Sequence, residues 1–141
     1  MKMMTALERV VLTLWVGALW AVGYLAAPVL FATLDDRALA GRLAGNMFTS
    51  VAYLSLAAGG VLLLIEWRRQ DRRRWRAWII AAMLALIAVG ELWVRPLMAV
   101  AAPGDFARLH GIAQTVYLLA SLLGLALVAL APGRKERTAT A

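Results

Sequence analysis

The sequence predicts an all-α protein: a four-helix transmembrane bundle with its N- and C-termini in the cytoplasm. The first observation behind this is composition. Of 141 residues, 63% are hydrophobic, whereas a soluble domain sits nearer half because water must wet its surface. The second is the length of the uncharged runs. Residues 10–34, 43–65 and 111–133 form runs of 25, 23 and 23 residues without Asp, Glu, Lys or Arg, and roughly 20 apolar residues cross the hydrocarbon core as a helix. A run of 14, residues 77–90, reaches that length only by including Glu91 and Arg95. The third is where the basic residues fall. With four alternating helices, 11 of the 15 lie on one side: Lys2, Arg9, Arg68, Arg69, Arg72, Arg73, Arg74, Arg76, Arg134, Lys135 and Arg137. The positive-inside bias puts that side in the cytoplasm.

The expected elements follow in order. Helix one covers about residues 7–34, and Pro28 is expected to kink its outer end because proline lacks an amide donor. Lys2 before an apolar run, with Leu25-Ala26-Ala27 as a small-residue box, resembles a signal peptide. The run exceeds the usual 7–15-residue apolar region and Pro28 follows the box, so helix one is expected to be retained. Asp35 or Asp36 is expected to cap a helical turn in the short outer loop. Helix two covers 41–67, with Gly17, Pro28, Gly41 and Gly45 expected to serve helix packing, since small residues four apart let backbones approach in lipid. Helix three covers 76–100. Pro103 and Gly104 break the chain before helix four, 106–131. Residues 1–133 read as one domain, and 134–141 as a disordered cytoplasmic tail. No residue-level repeat asserts itself between the two helical hairpins.

The six arginines of the central connection, Arg68, Arg69, Arg72, Arg73, Arg74 and Arg76, are expected to fix topology and hold anionic lipid head groups. Tethered between two spans, that loop cannot track a nucleic-acid backbone, so no nucleic-acid partner is expected. Trp67, Trp75 and Trp78 flank it, where an interfacial aromatic belt belongs.

Polar residues inside a span need a partner or a wet cavity. Asn46, Thr49, Ser50 and Tyr53 share one stripe of helix two, and His110, Gln114, Tyr117 and Ser121 share one of helix four. Glu91 and Arg95 are spaced for an ion pair on helix three, in the more favourable order. Asn46 to Tyr53, His110 to Tyr117, Glu91 and Arg95 fall in the outer half, which suggests a polar site open to the periplasm. The candidate ligand-binding set is His110, Glu91, Arg95, Asn46, Gln114, Tyr117, Ser50 and Tyr53. The alternative is structural: a neutralised ion pair and interhelical hydrogen-bond glue. No catalytic residue is assigned, because no nucleophile–base pair, phosphate loop or zinc spacing is present. No metal site or cofactor is expected either: cysteine is absent and His110 is the sole histidine.

The stretch Leu14–Leu34, followed by Ala-Gly-Arg-Leu-Ala-Gly at 40–45 and Met47-Phe48, resembles a family of small bacterial membrane proteins of unknown function. That family is related to the eukaryotic transmembrane protein 205. The resemblance rests on Trp15, Gly17, Trp20, Pro28, Leu30, Phe31, Gly41, Gly45 and Phe48, and on Phe106 and His110 before the last helix. It covers about residues 8–130 and implies a four-helix protein of the bacterial inner membrane, with no settled activity. For the animal relative it implies an association with platinum-drug resistance. Animal members tend to carry serines and a later asparagine after the His-Gly pair; here Ala113, Gln114 and Tyr117 stand there. A more distant likeness is to copper resistance protein D, against which the lack of further histidines argues.

These readings lead to two functional expectations. One is a small inner-membrane protein that binds or moves a small polar solute, proton or cation through a periplasm-facing site. The other is a non-catalytic structural or regulatory subunit, whose partners are the bilayer and either a second copy or another membrane protein.

Overall fold

The computed structural model describes residues 2–68 and 74–130, with side chains from Ala6 onward. Arg69, Arg72, Arg73 and the expected tail 134–141 lie outside the described residues. The first span is α1 (Lys2–Ala21), a π-helical turn (Val22–Ala26) and α2 (Ala27–Thr33). The second is α3 (Arg37–Arg68). The third is α4 (Trp75–Val89), a second π turn (Gly90–Val94) and α5 (Arg95–Val100), and the fourth is α6 (Pro103–Ala129). All four are long and apolar enough to cross a membrane.

The helix starts differ from expectation for local reasons. Asp36 accepts the amide N–H groups of Ala38 and Leu39 at 2.8 and 3.0 Å, so it caps α3 itself and the helix begins at Arg37 rather than near 41. Those amides are among the donors that every helix start leaves without an internal partner. Pro103 does not break the chain; it opens α6 in the first turn, where the missing N–H costs nothing. Asp105 adds a favourable charge to that turn. Pro28 and Pro96 each sit second in the helix that follows a π turn. In those turns the Ala27 N–H bonds to Val22 O, and the Arg95 N–H to Gly90 O, five residues back.

The spans pack in a ring. The first lies on the second and fourth, and the third on the second and fourth. One core draws on all four: Leu12, Trp15, Val16 and Leu19; Val51, Ala52 and Leu62; Ile80, Met83 and Ile87; Ala120 and Leu127. In lipid this packing is van der Waals and depends on close backbone approach. The tight approaches differ from those expected. A Cβ at Gly59 would lie 2.6 Å from Leu84 and 2.8 Å from Trp15, and one at Gly124 would lie 3.0 Å from Met83 and from Val16. The Tyr117 ring fills the space over Gly23. At Gly17, Gly41 and Gly45 an added Cβ meets nothing within 4 Å, so their faces stay open within this chain.

At the end that carries the chain start and the arginine-rich connection, Arg76 pairs with Glu66 at 3.4 Å and joins the second and third spans. Arg68 and Arg74 are exposed there, as are Trp67 and Trp78. The short turns at residues 34–36 and 101–102 form the opposite end, and both π turns lie in the half of the bundle nearer to it.

Candidate polar site at the second π turn

The π turn Gly90–Val94 sets the position of Glu91. The carboxylate is 13% exposed and faces α3, where the Thr49 hydroxyl donates to Oε1 at 2.9 Å. Arg95, the first residue of α5, donates Nη1 to both the Glu91 carboxylate and the Thr49 hydroxyl. A threonine hydroxyl has one proton but can accept as well as donate. With Arg95 as its donor and Glu91 as its acceptor, Thr49 completes a closed three-member network, and the Gly45 carbonyl at 3.1 Å is the alternative acceptor. The Arg95 side chain remains 41% exposed, so the ion pair it makes stays in reach of the surroundings of the bundle. A carboxylate in a span is costly unless paired; here it is paired within its own helix and bonded across to the next.

The other predicted residues fall into separate groups. Tyr117 donates its hydroxyl to Leu19 O at 2.5 Å, and its ring meets Phe48 edge-on at 5.0 Å. Tyr24 lies 6.2 Å from that ring and 4.6 Å from Trp20, whose indole N–H donates to Ser121 O at 3.3 Å. An aromatic cluster therefore ties the first, second and fourth spans together, with Tyr117 as its hub. Asn46 and Ser50 line an open groove between the first and second spans with Val22, Leu30 and Met47, and Ser50 bonds back to Asn46 O at 3.0 Å. Tyr53 is 63% exposed on the outside of the bundle. His110 is exposed, stacked on Phe106 with ring centroids 5.9 Å apart, and accepts at Nε2 from the Gln114 amide at 3.3 Å. Among the described residues, no hydrogen bond or ring contact joins His110 to Glu91, and no cluster of three or more His, Cys, Asp or Glu exists.

The structure thus brings together Glu91, Arg95 and Thr49, and leaves His110 with Gln114 and Phe106. Thr49 was legible as a member of the polar stripe, but its turn toward the third span was not. Trp20 and Phe48 carry no polar signal in the sequence and enter the site's surroundings only through packing.

A family model described as a domain of unknown function, DUF4149, matches residues 10–107, about two thirds of the chain, from within the first span to the first turn of the fourth. The chain belongs to the DUF4149 family. No curated protein and no solved structure matches it. The DUF4149 segment includes Glu91, Arg95, Thr49 and the open groove, and ends before His110. A membrane protein of a family without assigned function, built from four apolar helices, is the identity these findings establish.

Proposed function

We propose that this DUF4149 protein binds or moves a small polar solute, proton or cation at a periplasm-facing site centred on Glu91, Arg95 and Thr49. The observation that carries the reading is the π turn beneath Glu91. Such turns are rare and are frequently found at functional sites. This one carries an acid 13% exposed and joined to a neighbouring span. The half-exposed Arg95 connects the pair to the surface, so a solute can compete for either charge without first being dragged through apolar packing. In this reading the end bearing Arg68 and Arg74 faces the cytoplasm of a bacterial inner membrane and holds anionic head groups. The likeness to transmembrane protein 205 supports a membrane role without supplying a ligand. Proteoliposomes loaded with a pH-sensitive dye, and challenged with proton, Na+ and Mg2+ gradients, test the proposal. A flux present in the native protein and lost in Glu91→Gln supports it; identical traces, or no flux with any of the three and no stabilisation by them, count against it.

A second reading, a subunit of a larger membrane assembly, is favoured by one different observation. Gly41 and Gly45 are open to an added Cβ, and on the same helix Asn46, Ser50 and Tyr53 are exposed. Polar groups facing hydrocarbon are costly unless a neighbouring helix meets them. Purification in mild detergent separates the readings: a stoichiometric partner or a defined oligomer favours the subunit, and a monodisperse monomer disfavours it.

A further inference from the structure

The two hairpins share a register that the sequence alone did not make apparent. Each π turn begins six residues before a proline, Val22 before Pro28 and Gly90 before Pro96. On the returning spans the pattern Arg-Leu-x-Gly-x-x-x-Thr occurs at 42–49 and again at 108–115. Both threonine hydroxyls have the glycine carbonyl one turn back within hydrogen-bond reach, Thr49 that of Gly45 at 3.1 Å and Thr115 that of Gly111 at 3.0 Å. Contacts repeat as well. Val22 and Ser50 line one groove, and their counterparts Gly90 and Val116 adjoin, with the Val116 side chain 3.8 Å from a Cβ placed at Gly90. The second residue of each π turn meets the other hairpin: Gly23 lies under Tyr117, and Glu91 bonds to Thr49.

Both first-of-pair spans are therefore interrupted at matching places, and the interruption has a mechanical consequence. A π turn carries one residue more than an α turn, and the proline after it removes an N–H and crowds the carbonyl four residues back. That carbonyl belongs to Tyr24 in one span and Leu92 in the other. Beyond the turns the arms are thinly held: Ala27 is the only buried residue of α2, and α5 has none. Before the turns, Leu12, Trp15, Val16 and Leu19 in one span, and Ile80, Met83 and Ile87 in the other, are buried in the core. Segments with few buried contacts next to a weakened hydrogen-bond ladder are the ones that open at low free energy. One arm has a fastening the other lacks, because Arg95 on α5 bonds to Thr49 on α3, while Ala27 holds the corresponding place in the first span.

We propose that the two π turns are paired hinges on which Ala27–Thr33 and Arg95–Val100 swing against a rigid inner bundle, with the Arg95–Thr49 contact latching the second arm. The motion opens the Glu91 end of the bundle, but its test needs no ligand and stands apart from the binding reading. Because the chain has no cysteine, spin labels can be placed in pairs without altering any other position. Labels at Val29 and Leu97, mid-arm and exposed, report the hinges; labels at Leu43 and Ile112, exposed in the same half on spans without a π turn, are the control. Pulsed electron paramagnetic resonance on the protein in nanodiscs should give a Val29–Leu97 distance distribution about twice as broad as the control. In the Thr49→Val background it should broaden further or move to a second maximum. Equal widths for the two pairs overturn the hinges, and a distribution unmoved by Thr49→Val overturns the latch.

Discussion

Removing either partner of the Glu91–Arg95 pair should have unequal effects, and the inequality follows from burial. Arg95→Met strands a carboxylate that is 13% exposed, with the Thr49 hydroxyl, among the described residues, as its donor from outside its own helix. Breaking a buried pair in this way costs about 3–5 kcal/mol; with the Arg95 side chain 41% exposed, the native pair is already partly screened, which brings the figure down to about 2 kcal/mol. Glu91→Gln leaves a cation whose head can turn to water, and the amide oxygen still accepts from Thr49, so it costs about 0.5–1 kcal/mol. The double variant Glu91→Gln with Arg95→Met removes both charges and should recover much of the loss. At about 2–4 °C per kcal/mol for a chain of this size, the midpoint should fall by about 4–8 °C in Arg95→Met and by about 1–4 °C in Glu91→Gln. Tryptophan emission during heating in detergent, with recovery of the monodisperse peak as a second readout, gives both values. A Glu91→Gln loss equal to or larger than that of Arg95→Met would refute the burial argument, as would additive losses in the double variant.

Other substitutions test the packing. Gly59→Ala should cost about 1–3 kcal/mol and lower the midpoint clearly, because the new methyl lies 2.6 Å from Leu84 and 2.8 Å from Trp15; Gly41→Ala in parallel should be neutral in the monomer, and the two melting curves compare directly. Asp36→Ala should cost about 1 kcal/mol and fray the start of α3, seen as faster amide exchange at Ala38 and Leu39. Ser121→Ala should be neutral or stabilising, since the buried Ser121 hydroxyl has no hydrogen-bond partner among the described residues. Tyr117→Phe should cost about 1 kcal/mol through the lost bond to Leu19 O, read from the same melting curves.

The four spans were legible because uncharged runs of spanning length have few other uses, and the ion pair because helical spacing puts residues four apart on one face. The π turns were not legible. Pro28 drew attention as a kink, but whether a helix answers a missing N–H by bending or by adding a residue depends on what packs against it; the Tyr117 ring over Gly23 is one such constraint. The glycines show the same limit. Gly41 and Gly45 carry a recognisable spacing yet have open space where a Cβ would go, whereas Gly59 and Gly124 carry none and sit where side chains of neighbouring spans press on them. Polar stripes told which residues share a helix face, but not which neighbour that face meets. Asn46 and Ser50 line a groove toward the first span while Thr49, three residues from Asn46, meets the third.

Glu91, in the reading proposed above, is a solute-contacting carboxylate and not only a strut between spans. Infrared difference spectra of the protein in lipid, recorded as Na+, Mg2+ or a pH step is perfused over it, test this most directly. A shifted carboxylate band is expected in the native protein, missing in Glu91→Gln and altered in Thr49→Val. Difference spectra that are the same with and without the Glu91 carboxylate, under all three perturbations, would contradict it.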